Sequence, residues 1–127
     1  MHYDLNYIES FRGKMGHYAY FTNDGGCVYV GKADCICSRV LAHKNRFYPA
    51  ANKIILLPCT DDELNGFNYA QIKQYLRVKE MMLINELNPS VNIHRPDWFR
   101  AMQKCDVKVA ELLCDRFMVK LQLPHTV

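Results

Sequence analysis

Three groups of side chains have the types and spacing for chemistry: a carboxylate on an apolar helix face, an arginine and histidine one turn apart, and tyrosines on both strands of a hairpin. At 100° per residue Glu80 falls beside Leu76, Ile84 and Leu87, inside the apolar arc of a helix expected over 68–87. An ionised carboxylate there needs a cation, several donors or a metal. Pairing with Arg39, Lys32 or another base is the plain structural alternative. Arg39 and His43 share one face of a helix expected over 34–46, next to Ile36, Val40 and Phe47. A guanidinium on that face suits a phosphate clamp, because its planar fork donates bidentately. With Lys44 and Arg46 close by, a solvated basic face explains it equally well.

The third group is the stretch GHYAYFTNDGGCVYVGKA, residues 16–33. Alternation puts Tyr18 and Tyr20 on one face of the first strand, with His17, Ala19 and Phe21 on the other. In the second strand Cys27 and Tyr29 are expected to share a face opposite Val28 and Val30. Two phenols near Gly31 and Lys32 then either meet in one pocket or form aromatic cross-strand pairs of a core.

The elements that position these groups are legible in outline. A short helical turn or lead-in is expected within 2–12. Strands follow over 17–22 and 27–31, joined by Asn-Asp-Gly-Gly, whose residues tolerate the positive φ of a tight turn. Asp34 is placed to cap the next helix. Lys53–Cys59 reads as a buried third strand. Thr60-Asp61-Asp62-Glu63 reads as a turn or cap with acids suited to a helix N-terminus. The longest helix, 68–87, is stopped by Asn88-Pro89, and Val91–Ile93 is a short extended piece. A helical tail opens at Pro96 and Asp97, broken near Asp106, with Trp98, Met102, Val109, Leu113, Phe117 and Leu121 on apolar faces. The order β-β-α-β-α plus extra helix is a small α+β domain with a three-stranded mixed or antiparallel sheet.

At 127 residues, half of them hydrophobic and 23% charged, the chain has the size and composition of one soluble domain. A formal net charge of +3 permits an anionic partner without demanding one. The six cysteines form no Cys-x-x-Cys pair and have no His-x₃₋₅-His nearby, which argues against structural zinc. The first residues lack an apolar core of signal-peptide length, and Ile54–Leu57 is too short to span a bilayer. Reduced thiols in a cytoplasmic protein without a membrane partner is the expectation.

In order and spacing the set resembles a GIY-YIG nuclease domain. Gly16-His17-Tyr18 stands for the first motif, with His in place of the usual Ile, and Tyr29-Val30-Gly31 for the second, the tyrosines eleven residues apart. Arg39 and His43 follow the second tyrosine by ten and fourteen residues. Glu80-Met81-Met82-Leu83-Ile84, then Pro89 and Asn92, resembles the family's Glu-x-x-Leu-Ile and Pro-x-x-Asn block. The resemblance covers about 16–93. It implies a nuclease domain over 1–96 and leaves 97–127 as a helical extension, read as packing on the same domain or mediating a homodimer.

The resemblance further implies an endonuclease that hydrolyses DNA phosphodiester bonds to 5′-phosphate and 3′-hydroxyl ends, with RNA left open as substrate. It implies one Mg²⁺ or Mn²⁺ ion held by Glu80 as the sole protein ligand. Arg39 would clamp the scissile phosphate, and Tyr18 or Tyr29 would take the proton of the attacking water, with His43 relaying it or holding a tyrosine in place. Gly31, Lys32 and Lys44 would meet the phosphate backbone, and Asn92 would orient groups around the ion. The alternative from another class is a catalytically weak or inactive nucleic-acid-binding module that needs a partner protein.

Overall fold

The computed structural model describes residues 3–43, 45–47, 49–92 and 94–115. Lys44, Ile93, Phe117 and Leu121, named above, lie outside them. The chain opens with helix α1 (Leu5–Glu9), whose first turn is capped by the Asp4 carboxylate accepting from the amides of Asn6 and Tyr7. Strands β1 (Gly16–Phe21) and β2 (Cys27–Ala33) form the expected hairpin. Helix α2 (Ile36–His43) and strand β3 (Lys53–Pro58) follow. A single turn, α3 (Asp61–Leu64), precedes the long helix α4 (Tyr69–Leu87) and then α5 (Trp98–Gln103), and residues 107–115 are again helical. The protein is thus a small α+β unit with one three-stranded sheet in the order β2-β1-β3, antiparallel throughout.

Local chemistry explains the boundaries. Thr60 caps α3 and Asn68 caps α4, each in a reciprocal capping box, with Glu63 and Gln71 returning the bond. Asn88 ends α4 in the left-handed conformation at φ 50°. The cap of α2 differs from expectation. Strand β2 runs on to Ala33, so the helix starts at Ile36 and Asp34 lies too early to cap it. The Cys35 thiol takes that place, accepting from the Ser38 hydroxyl at 3.3 Å and from nearby backbone amides.

A second difference lies in the hairpin. Tyr20 pairs with Tyr29 but Phe21 pairs with Cys27, so Val28 is an inserted, bulged residue. The bulge puts Val28 into the core with Tyr18 and Tyr20 and sends Cys27 to the other face with Phe21. Alternation alone had joined Cys27 to Tyr29.

Helices pack on both faces of the sheet, but β3 is not the buried strand expected, since Lys53 and Ile55 are exposed and only Leu56 is buried. Tyr18, Tyr20 and Leu56 pack against Tyr3, which precedes α1, Ile8 of α1, and Ile36, Cys37 and Val40 of α2. On the other face Ala19 and Val30 meet Leu83 and Ile84 of α4. A second side of α4, with Tyr75, Val78 and Met82, packs on Met102, Val109 and Leu113. Helix α4 is therefore buried on two sides, and what it leaves for a polar side chain is a narrow seam. The free edge of β2 is protected by the segment after α4, where Ser90 and Val91 amides donate to the carbonyls of Cys27 and Val28.

Gly16 opens β1 at φ +152°, and a Cβ there would strike the Leu57 carbonyl and lie 2.8 Å from Pro58 Cα. Neighbouring backbone leaves no room for relief. Gly16→Ala is expected to destabilise the fold by about 3 kcal/mol, read as a lower midpoint in thermal unfolding. An unchanged midpoint would mean that β3 yields at no cost.

His17 is fully buried and hydrogen-bonded through Nε2 to the Leu76 carbonyl at 2.9 Å. A carbonyl only accepts, so the neutral ring carries its proton on Nε2, and Nδ1 is buried without a partner. Burial, chiefly, with Lys79 and Lys32 adding to it, pulls its pKa down to about 4, against the Leu76 bond and Glu63. A basic group depressed in the folded state withholds a proton that the unfolded chain binds. Its stabilisation is complete above its ordinary value of 6.5 and is lost as pH falls toward 4. The contribution is about 3 kcal/mol. Unfolding midpoints measured from pH 7 to pH 4 are expected to fall steeply in the natural chain and less so in His17→Phe. Equal slopes would refute it.

Candidate functional site

Strands β1 and β2, α2 and α4 bring Tyr18, Tyr29, Lys32, Arg39 and Glu80 to one region. Tyr18 stands opposite Gly31 in the hairpin ladder and is 4% exposed. Its ring lies over Gly31 so closely that a Cβ there would be 2.5 Å from the phenol carbon and oxygen. The missing side chain at Gly31 therefore makes room for the Tyr18 phenol, where the sequence had suggested room for a phosphate backbone. Tyr29 sits 6.2 Å from Tyr18 between ring centroids, tilted by 40°. The pocket and the aromatic core of the two earlier readings thus coexist, since Tyr20 is fully buried in the same cluster.

Electrostatics tie the outer members to Tyr18. Burial raises its pKa to about 12, helped by Tyr29 and Glu80, while Arg39 opposes as a charge and as a hydrogen-bond donor. The phenol is therefore neutral at pH 7 and acts first as an O–H donor. Arg39 projects from the exposed side of α2, whose opposite side buries Ile36, Cys37 and Val40.

Glu80 is half-buried on the α4 seam. Burial raises its pKa, and the Lys32 charge and backbone amide pull the other way. No side-chain hydrogen bond or ion pair reaches it among the described residues. Glu63 provides the contrast. It too is buried, but the Tyr75 hydroxyl, the Thr60 amide and Lys79 (3.3 Å) outweigh burial and hold it near pH 2. Glu63 is a satisfied structural acid, and Glu80 is not.

That difference bears on a metal. Among the described residues no three His, Cys, Asp or Glu side chains come together. A multi-carboxylate cage is therefore not formed by them. One half-buried carboxylate short of positive partners fits an ion such as Mg²⁺ that keeps most of its waters. Glu80 borders a cleft of about 410 Å³ with Met81, Ile84, Asn92 and His94, which has room for them.

The remaining expected residues are placed differently. Asn92 lies in that cleft, but its amide spans the β2 edge, accepting from Val30 N at 2.9 Å and donating to Val30 O at 3.0 Å. It anchors the loop beside Glu80, with both its amide oxygen and its amide nitrogen engaged by Val30. His43 is exposed in the last turn of α2, and no hydrogen bond of its ring is found among the described residues. Lys32 is exposed on β2 and lines a second cleft of about 220 Å³ with Ala33, Asp34, Arg39, Lys73 and Leu76.

One element escaped the sequence. In the sequence Arg46 reads as a basic residue flanking the site, following a phosphate backbone or serving as ordinary surface charge. Phe47 stacks on Tyr29 at 5.0 Å, and the Arg46 guanidinium lies 5.2 Å from the Phe47 ring and 5.8 Å from that of Tyr29. Adjacent Arg-Phe in a loop carries no periodic signal that would have announced the stack.

No family model matches the chain, and no curated protein shows significant similarity to it. None of the described helices is long and apolar enough to cross a membrane.

Proposed function

We propose that this protein is a metal-dependent endonuclease of the GIY-YIG kind, hydrolysing DNA phosphodiester bonds to 5′-phosphate and 3′-hydroxyl ends. The observation that carries the reading is the meeting of Tyr18, Tyr29, Arg39 and Glu80, drawn from four different elements, around one buried phenol. A purely structural aromatic cluster needs neither a guanidinium nor a half-buried carboxylate beside it.

In this reading Arg39 donates to the non-bridging oxygens of the scissile phosphate and faces the charge that grows on them. The Tyr18 and Tyr29 hydroxyls align the attacking water. A phosphate dianion-like centre pressed against Tyr18 disfavours its phenolate further, so proton removal depends on Arg39 and Lys32 balancing that charge. When bound at Glu80, Mg²⁺ or Mn²⁺ supplies positive charge for the leaving 3′ oxygen. His43, one turn beyond Arg39, is placed to exchange the proton with solvent.

One observation favours the second reading, a binding module that cuts weakly or not at all: a phenol pushed up to about 12 is a poor base by itself. A cleavage panel separates the two. Duplex, nicked, flapped, branched and single-stranded DNA, and RNA, are incubated with Mg²⁺, Mn²⁺ or chelator. Metal-dependent cutting, with the rate rising toward alkaline pH and the rise lost in Tyr18→Phe or Tyr29→Phe, is the expected result. Retained binding without cutting of any substrate would leave the binding module.

A further inference from the structure

The cleft beside Arg39 shares Arg39 and Lys32 with the chemistry above, but its far wall, with Lys73, is not used there. Lys32 from β2, Arg39 from α2 and Lys73 from α4 surround it, with Asp34 as the one carboxylate on its wall. Even counting Glu80, which the Lys32 charge also reaches, three cations against two acids leave an excess of positive charge. All three are exposed, and none forms an ion pair within 4.0 Å among the described residues. A concave site lined this way selects an anion. Lys73 also lies 5.1 Å from the ring centroid of Tyr69, the first residue of α4. Tyr69 is 60% exposed, among the most exposed large side chains described. Core packing does not explain it.

Helix geometry relates this pair to the candidate metal ligand. Seven residues separate Lys73 from Glu80, about 10 Å along the axis of α4. A strand whose cut phosphate sits by Arg39 and Glu80 can thus reach Lys73 and Tyr69 with an adjoining nucleotide.

We propose that Lys32, Arg39, Lys73 and Tyr69 form a subsite for one unpaired nucleotide of a DNA strand, its phosphate in the cleft and its base stacked on Tyr69. The inference rests on the nuclease reading for the placing of the cut phosphate. The specificity follows from stacking. Bases inside a duplex already cover each other's faces, and only an unpaired base has a face to offer an exposed ring. The substrate class is thus DNA with at least one unpaired nucleotide beside the cut, such as a flap, gap or single strand.

The test is fluorescence anisotropy in chelator, so that no cutting occurs. The probes are a labelled single-stranded oligodeoxynucleotide and the blunt duplex of the same sequence. Tyr69→Ala is expected to weaken single-strand binding roughly tenfold and leave duplex binding unchanged, with Tyr69→Phe close to the natural chain. Lys73→Gln is expected to weaken binding and lower the salt slope by about 0.7 on the single strand. Tyr69→Ala binding single strand as well as the natural chain, or losing equally on both probes, overturns the subsite. If the protein cuts nothing yet the Tyr69 and Lys73 effects on single strand appear, the nuclease reading fails and the subsite stands. If it cuts and neither variant alters binding, the subsite fails alone.

Discussion

Glu80→Gln is expected to lower cleavage by at least about a thousandfold while leaving the fold at least as stable as before. The two halves of that result have one cause. Burial opposes the charge on Glu80, and Lys32 offsets it only in part, so the folded carboxyl titrates above its ordinary value. An acid raised in the folded state favours folding while protonated, and the advantage is lost as pH rises through its pKa. The ionised form is a burden on the fold, and neutral Gln, close in shape, relieves it. Gln keeps an oxygen for the Lys32 amide but is a far weaker partner for a cation. The checks are unfolding midpoints and single-turnover cleavage, together with Mn²⁺ titration followed by the rise in unfolding midpoint. A ligand bound only by the folded state raises that midpoint, and Glu80→Gln should abolish the rise. Normal cutting by Glu80→Gln would remove Glu80 from the chemistry.

Arg39→Ala is expected to reduce the single-turnover rate by roughly 10²- to 10³-fold with a much smaller loss in DNA affinity measured in chelator. The guanidinium stands on the exposed side of α2, so its removal leaves no cavity. It is also the principal group opposing the rise in the Tyr18 pKa. In the proposed mechanism its loss would remove the phosphate clamp and make the phenol harder to ionise in the same step. Arg39→Lys should recover only part of the rate, because an ammonium brings charge without the planar fork. If Arg39→Ala changes rate and affinity equally, Arg39 holds substrate without favouring the transition state. An unchanged rate would return it to a solvated basic face.

Element types were legible along most of the chain because local chemistry dictates them. The Asn-Asp-Gly-Gly turn, the capping boxes at Thr60 and Asn68 and the stop at Asn88-Pro89 each work within a few residues. The bulge at Val28 and the late start of α2 were not legible, since both follow from how far β1 and β2 stay paired. The same holds at the candidate site. That Glu80 lies in an apolar arc is periodicity. That Glu63 is the satisfied acid and Glu80 the unsatisfied one depends on Tyr75, Thr60 and Lys79 closing around only one of them.

By itself the sequence determined the α+β class, the hairpin with its paired tyrosines, and the spacing that sets Arg39, His43 and Glu80 on helices. Tertiary structure decided what those residues face. Gly31 turned out to house the Tyr18 ring, and Asn92 to be spent on the β2 edge. The reason is range. Turn, cap and periodicity act between neighbours in the chain, whereas desolvation and charge act between groups that only folding brings together, as β1, β2, α2 and α4 do around Tyr18.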